Sequence, residues 1–460
     1  MQKFDVVVIG SGPAGEGASM MAAKSGLRVA VVERYVEVGG GCTHWGTIPS
    51  KALRHAVKTF GDVRTSPWAR PFRDRLKVDF AQLLGEASQV IAKQVAMRRR
   101  FYERNEVPVL QGSARFADAH TIEVVNGGRV TRLQANHVVL AAGSRPYHPP
   151  GVDFSHPRML DSDSVLKYSG TPRSITIYGA GVIGCEYASI FVNLGIKVNL
   201  INTQERLLSF QDDEITEALS YHLRDQGVVI RHNEQFAGVD LNDDGVVLRL
   251  ASGREIRSDA LLWANGRTGN TDTLALDKAG LESNSRGQLA VDEFFRTAVP
   301  HIYAVGDIIG PPALASAAYD QGRFAAQHLL GETVDPGRLA LVPSGIYTIP
   351  EISSVGRTER ELQRDGVPYE IGHAMFKNLA RAQMTTETTG MLKLLFHAKT
   401  LEVLGVHCFG DRASEIVHIG EMVMANPAIN SINQFVNMTF NYPTMAEAYR
   451  VAAFNGLNRL

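Results

Sequence analysis

Apolar residues run through this chain in short unbroken stretches punctuated by glycine turns. Val6-Val7-Val8-Ile9 gives way at once to Gly10-Ser11-Gly12-Pro13-Ala14-Gly15, then to a segment of small residues with helical spacing, then to a second apolar run that ends on Glu33. A short apolar run bounded by turn signals predicts a buried strand, and strand, glycine turn, helix and strand together predict a βαβ nucleotide-binding unit. Residues 174–202 repeat the plan, so the pattern predicts an internally duplicated α/β protein with two nucleotide sites. Between them, residues 78–105 have helical spacing and end on Arg98-Arg99-Arg100, a run that complements a helix C-terminus and reads as a solvated face. Residues 61–77, with Pro67, Trp68 and Pro71, read as a surface excursion between helices. Beyond about residue 335 the pattern changes to strands such as Met391-Leu392-Lys393-Leu394-Leu395-Phe396 followed by helices, which predicts a separate α+β domain.

Composition narrows the function classes. The 460 residues are 44% hydrophobic and 21% charged, which suits a globular chain of several domains. With 47 basic against 48 acidic residues, nothing suggests a nucleic-acid footprint or attraction to an anionic membrane surface. No stretch reaches the roughly 18 to 20 apolar residues needed to span a bilayer, and no export signal is read at the start. Three cysteines, Cys42, Cys185 and Cys408, are too few for a disulfide scaffold and suit a reducing cytoplasm, where the protein is expected.

Each residue of the first glycine loop has a physical task. Gly10 permits the tight turn, Gly12 lets the backbone approach a pyrophosphate, Gly15 lets the helix pack on the strand, and Glu33 would hold ribose hydroxyls. Gly179, Gly181 and Gly184 repeat the fingerprint, but at the spacing that separates Gly10 from Glu33 stands Asn202. A carboxylate there would favour NAD and repel the 2′-phosphate of NADP, whereas Asn202 with nearby Arg206 tolerates either. Arg206 is either a phosphate contact or a surface residue of the loop.

Several further segments resemble the glutathione reductase and lipoamide dehydrogenase superfamily. Tyr303-Ala304-Val305-Gly306-Asp307 resembles the segment that brings an Asp, here Asp307, to the ribityl chain and pyrophosphate of FAD. Ala141-Ala142-Gly143-Ser144-Arg145-Pro146 resembles the crossover out of the FAD domain, and Asn265-Gly266-Arg267-Thr268-Gly269-Asn270 the structural loop that returns to it. Gly143, Gly266 and Gly306 are counted with the cofactor-binding residues on this resemblance. It implies an FAD-binding domain in residues 1–150 and 271–335, an NAD(P)-binding domain in 151–270, and a C-terminal α+β dimerisation domain in 336–460. Gly410, Glu415, His418 and residues 440–447 resemble its interface, so a homodimer or higher homo-oligomer is expected.

The redox centre departs from the disulfide reductases. Residues 39–51 resemble their active-site helix, which carries two cysteines separated by four residues; here the first is Cys42 and the second position is Thr47. A dithiol relay needs two sulfurs, and a threonine hydroxyl cannot form that bond. Phe440-Asn441-Tyr442-Pro443-Thr444-Met445-Ala446-Glu447 resembles the segment supplying a His–Glu pair from the partner subunit, with Tyr442 at the His position. A phenol is a poor proton shuttle near neutral pH beside an imidazole. Lys51 and Glu186 resemble the superfamily's Lys–Glu pair beside the flavin; the alternatives are a solvated helix lysine and a surface carboxylate. Cys42, without a partner thiol, is either a packed residue or a reactive one.

The whole pattern resembles the soluble pyridine nucleotide transhydrogenase family. That resemblance implies FAD as cofactor, NADPH/NADP⁺ and NAD⁺/NADH as substrates, and a Si-specific, ping-pong hydride transfer without a redox disulfide. Two rivals remain at this stage: a diverged disulfide reductase using Cys42 with another thiol, and a nucleotide-binding flavoprotein without turnover.

Overall fold

The computed structural model describes residues 1–76 and 78–460. Its first sheet is parallel at the centre, in the order Val109–Gln111, Val29–Glu33, Gln2–Ile9 and Arg129–Leu140, with Ile302–Ala304 added beside the last. Val6, Val7 and Val8 are wholly buried, as expected for a strand covered on both faces. The antiparallel strands Ser113–Asp118 and Thr121–Asn126 extend the other edge. Helix Pro13–Lys24 crosses helix Ala315–Leu329 closely enough that a Cβ on Gly322 would stand 2.1 Å from the Ala14 carbonyl oxygen. That close crossing is the physical reason for the small residues in the first helix.

The second sheet repeats the design with five parallel strands in the order Val229–Arg231, Lys197–Ile201, Ser174–Tyr178, Ala260–Trp263 and Met159–Asp161. A two-stranded antiparallel link, Ser144–Pro146 with Arg267–Gly269, carries the chain out of the first sheet and back. The third sheet is antiparallel, in the order Ser344–Ile346, Glu351–Gly356, Val403–Gly410, Gly390–His397 and Tyr369–Met375, and packs against helices Ala413–Met424 and Ala448–Leu457. The architecture is therefore α/β with two Rossmann-like units and a C-terminal α+β unit, as expected. No helix among the described residues is long and apolar enough to cross a membrane.

Two local expectations need correction. Arg98 is buried inside the helix Phe80–Arg104, with Nε 3.1 Å from Glu16 and Nη2 donating to the Tyr319 hydroxyl at 2.8 Å. Its helix lies against the first helix, so burial of the guanidinium is offset by an ion pair no local pattern reveals. Arg99, by contrast, is half-exposed and pairs with Glu37. The expected excursion also starts late: helix Thr47–Thr65 takes in its first five residues and Arg70–Arg75 forms a 3₁₀ turn, while Lys77 lies outside the described residues.

Candidate functional site

A cavity of about 540 Å³ opens between the three sheets, lined by both glycine loops' helices and by the segment 40–51. The two loops are built alike. Gly10 and Gly179 sit at φ +107° and +109°, where a side chain would strike the carbonyl of Ala141 or Ala264. A Cβ on Gly15 or Gly184 would lie 1.9 or 1.8 Å from the carbonyl oxygen of Gly10 or Gly179, so each helix rests directly on its strand. Gly12 and Gly181 are open: nothing stands within 3.9 Å of a Cβ at Gly12, and nothing within 4 Å at Gly181. A backbone cradle of that shape at a helix N-terminus fits a pyrophosphate.

Glu33 is buried at the cavity wall and holds the first loop together. Its Oε2 accepts from the backbone N and the hydroxyl of Ser11 at 2.9 and 2.7 Å, and its Oε1 accepts from Tyr35 N at 2.9 Å. Oε1, with one bond made, keeps lone-pair capacity for a ribose hydroxyl. Across the cavity Asp307 accepts from the Ser144 hydroxyl at 2.7 Å, and that oxygen accepts from Arg267 Nε at 2.8 Å. Asn270 closes the same corner by donating to the carbonyls of Ala142 and Gly143. The link between the sheets is thus pinned beside Gly143 and Gly306, which also line the cavity; Gly266 lies outside the lining and serves the turn after Ala260–Trp263 at φ +98°.

A two-oxygen ion pair in the cavity joins residues far apart in the chain. Lys51 Nζ lies 2.8 and 2.7 Å from the two oxygens of Glu186, which also accepts from Tyr347 N at 2.8 Å. Glu186 is 4% exposed and sits in helix Val182–Asn193, directly after the second glycine loop. Neither residue is a solvated surface group. Tyr347, which the sequence did not single out for this role, also places its ring 5.0 Å from Lys51 Nζ.

Cys42 lines the cavity, half-buried, and is a free thiol. Burial pushes its pKa up, opposed chiefly by a hydrogen bond with the Thr47 side chain. The position expected for a second sulfur therefore touches Cys42, but with a hydroxyl. Tyr442 is 73% exposed and, like Glu447, is absent from the cavity lining of its own chain. His418 of helix Ala413–Met424 does line it.

Asn202 and Arg206 also lie outside the lining. Asn202 is buried with its amide committed to the loop, Nδ2 donating to the Arg206 carbonyl at 2.8 Å. Arg206 pairs with Asp213 at 2.6 Å, and Asp213 in turn bonds Arg360. The structure thus shows Arg206 held by a carboxylate on the exposed side of the second sheet.

Comparison with known proteins agrees with this construction. Residues 4–322 match the family described as pyridine nucleotide-disulphide oxidoreductase, and residues 342–453 match its dimerisation domain. The chain is 61% identical, over 100% of its length and 99% of the relative's, to a soluble pyridine nucleotide transhydrogenase of Hahella chejuensis. It is 58% identical, over 99% of its length and 98% of the relative's, to one of Salmonella typhimurium. Among solved structures it resembles LpdA from Mycobacterium tuberculosis, with TM-score 0.91 at 26% identity, and a Cu(II) complex of the HOCl-induced flavoprotein disulfide reductase RclA from Escherichia coli, with TM-score 0.89 at 27% identity; each covers 99% of both chains.

Proposed function

This chain belongs to the pyridine nucleotide-disulphide oxidoreductase family, and on that premise we propose that it is an FAD-dependent NAD(P)⁺ transhydrogenase that moves hydride reversibly between NADPH/NADP⁺ and NADH/NAD⁺, with the Si specificity its resemblance implies. The observation that carries this reading is one cavity lined by the first glycine loop and by the helix that follows the second, with Lys51 and Glu186 at the junction and a lone thiol facing Thr47. Bound FAD supplies the chemistry by taking hydride from one nicotinamide and giving it to another.

The chain's own part is binding, orientation and electrostatics. Gly10, Gly12, Gly15 and Glu33 fit the adenosine and pyrophosphate end of FAD; Gly143, Gly306 and Asp307 fit its far side. Gly179, Gly181 and Gly184 fit the nicotinamide nucleotide. Lys51 presents a cation into the cavity, which favours negative charge there, and Glu186 fixes its position while sitting on the nucleotide's helix. Without a carboxylate at Asn202 the 2′-phosphate escapes the repulsion such a group would exert there, so one site serves both nucleotides in turn, which is ping-pong order. No proton relay is required, and a lone Cys42 cannot form the redox disulfide of a reductase. The match to the dimerisation domain supports assembly with copies of itself, a homodimer at least, working in the cytoplasm.

The test is rapid mixing of the yellow protein with NADPH and then with NAD⁺. Flavin absorbance should bleach and recover with no disulfide present. Bleaching that only a disulfide or quinone reverses would reject the proposal.

A further inference from the structure

Beside Asn202, at the carboxyl edge of the second parallel sheet, the His232 ring stands between the Asn202 amide and the exposed Arg224 guanidinium. Asn202 is fixed by its backbone partners: Nδ2 donates to the Arg206 carbonyl at 2.8 Å, and Oδ1 accepts from Gln204 N at 3.2 Å. Those two bonds decide which end of the amide is nitrogen. The same Nδ2 lies 3.1 Å from Nδ1 of His232, and the Gln204 carbonyl is a further partner of that ring. Nε2 in turn stands 3.4 Å from Nη2 of Arg224, a donor only. A neutral ring has one acceptor nitrogen and can take only one of these two flanking donors.

Burial, then the charge of Arg224, hold the His232 pKa below its usual range, while the Gln204 carbonyl and the Glu205 carboxylate act the other way. Arg224 is exposed and, among the described residues, has no carboxylate partner, unlike Arg206 on Asp213. Asn202 and His232 follow directly from paired parallel strands, with Asn202 N donating to the Arg231 carbonyl at 2.7 Å. In open α/β sheets this carboxyl edge is where the ligand lies, and the residue at Asn202's position is the one that meets the adenosine ribose.

We propose that His232 and Arg224 form the subsite for a phosphomonoester on the adenosine ribose, the 2′-phosphate of NADP(H), and thereby set how strongly the chain prefers NADPH over NADH. This rests on the reading that the second glycine loop binds a nicotinamide dinucleotide. A phosphomonoester brings a charge near −2 and three acceptor oxygens, enough to accept from Arg224 and from an N–H of His232 at once. A ribose hydroxyl brings neither. NAD(H) leaves the pair solvated and pays no repulsion, so both nucleotides bind, with the phosphate as the difference.

The test is calorimetric binding of adenosine 2′,5′-bisphosphate and adenosine 5′-monophosphate to the FAD-loaded protein, for the natural chain, Arg224→Ala and His232→Ala. Losing a charge-assisted contact should weaken the bisphosphate roughly tenfold or more in Arg224→Ala and by a smaller factor in His232→Ala. Monophosphate affinity should stay within about twofold in both, which also certifies the fold. If the natural chain discriminates and both variants still do, the subsite is refuted while the nucleotide site stands. Transfer of the effect to Arg206→Ala would likewise refute it. If neither compound binds the natural chain in competition with NADH, the reading of the second loop itself has failed, and the subsite with it.

Discussion

Lys51 and Glu186 meet through both carboxylate oxygens, at 2.8 and 2.7 Å, although 135 positions separate them in the chain. One stands on the helix that carries Cys42's missing partner, the other on the helix that follows the second glycine loop. The contact therefore ties the segment 40–51 to the helix that follows the second glycine loop across the cavity. It gives the first prediction. Lys51→Ala should retain FAD yet slow NADPH-driven bleaching on the order of 100-fold, the scale for removing one preorganised electrostatic group. Glu186→Gln should slow it less, because the cation remains while its anchor weakens. Unchanged stopped-flow rates in Lys51→Ala would remove the cation from the account.

The two loops predict separable losses. A Cβ at Gly184 would fall 1.8 Å from the Gly179 carbonyl oxygen, and relieving such a clash costs about 1–3 kcal/mol. Gly184→Ala should therefore keep the yellow colour while the Michaelis constants for NADPH and NADH both rise at least about tenfold. Gly15→Ala should lose FAD instead. Simultaneous loss of flavin in Gly184→Ala, seen in the visible spectrum, would contradict two independent sites.

Cys42 is predicted to be dispensable. Its thiol pKa is pushed up by burial, so little thiolate exists near neutral pH, and no second sulfur lies against it. Cys42→Ser should keep transhydrogenation within about twofold. A collapse of turnover would restore a thiol to the mechanism.

How much of this was legible in the sequence depends on the distance between partners. The glycine loops were, because each residue's task is set by neighbours a few positions away. Lys51 and Glu186 were reached only through family resemblance, since spacing says nothing about a contact between separate helices. Arg98 was misread as solvated because its partner Glu16 lies on another helix. The run 391–396 is a strand as expected, but the burial of Lys393 within it was not legible, because its partners lie on other elements, Asp212 2.8 Å and Glu214 3.1 Å from its Nζ. Asn202 was found by spacing, but its buried amide proves to hold the loop, and the donors around it became visible only with the neighbouring strand in place.

The ion-pair cluster around Lys393 gives a pH prediction. Glu214 is held down to about 2 from an ordinary 4.5, first by its hydrogen bond with His373 and then by the charges of His373 and Lys393. A carboxylate whose folded pKa is lowered stabilises the fold above its ordinary value, and that stabilisation fades as pH falls from about 4.5 towards about 2. Thermal melts over this acid range should show Tm of the natural chain falling more steeply than that of Glu214→Gln, the two curves converging at the acid end. Parallel curves would mean the interdomain pair contributes nothing.

The central claim is hydride exchange between two nicotinamide nucleotides through one flavin. It is tested most directly by mixing purified yellow protein with NADPH and thionicotinamide-NAD⁺, without any disulfide, and following the absorbance of the reduced analogue. Sustained, FAD-dependent growth of that band is the predicted result. A protein that holds FAD and is bleached by NADPH, yet never forms the reduced analogue, would contradict the account.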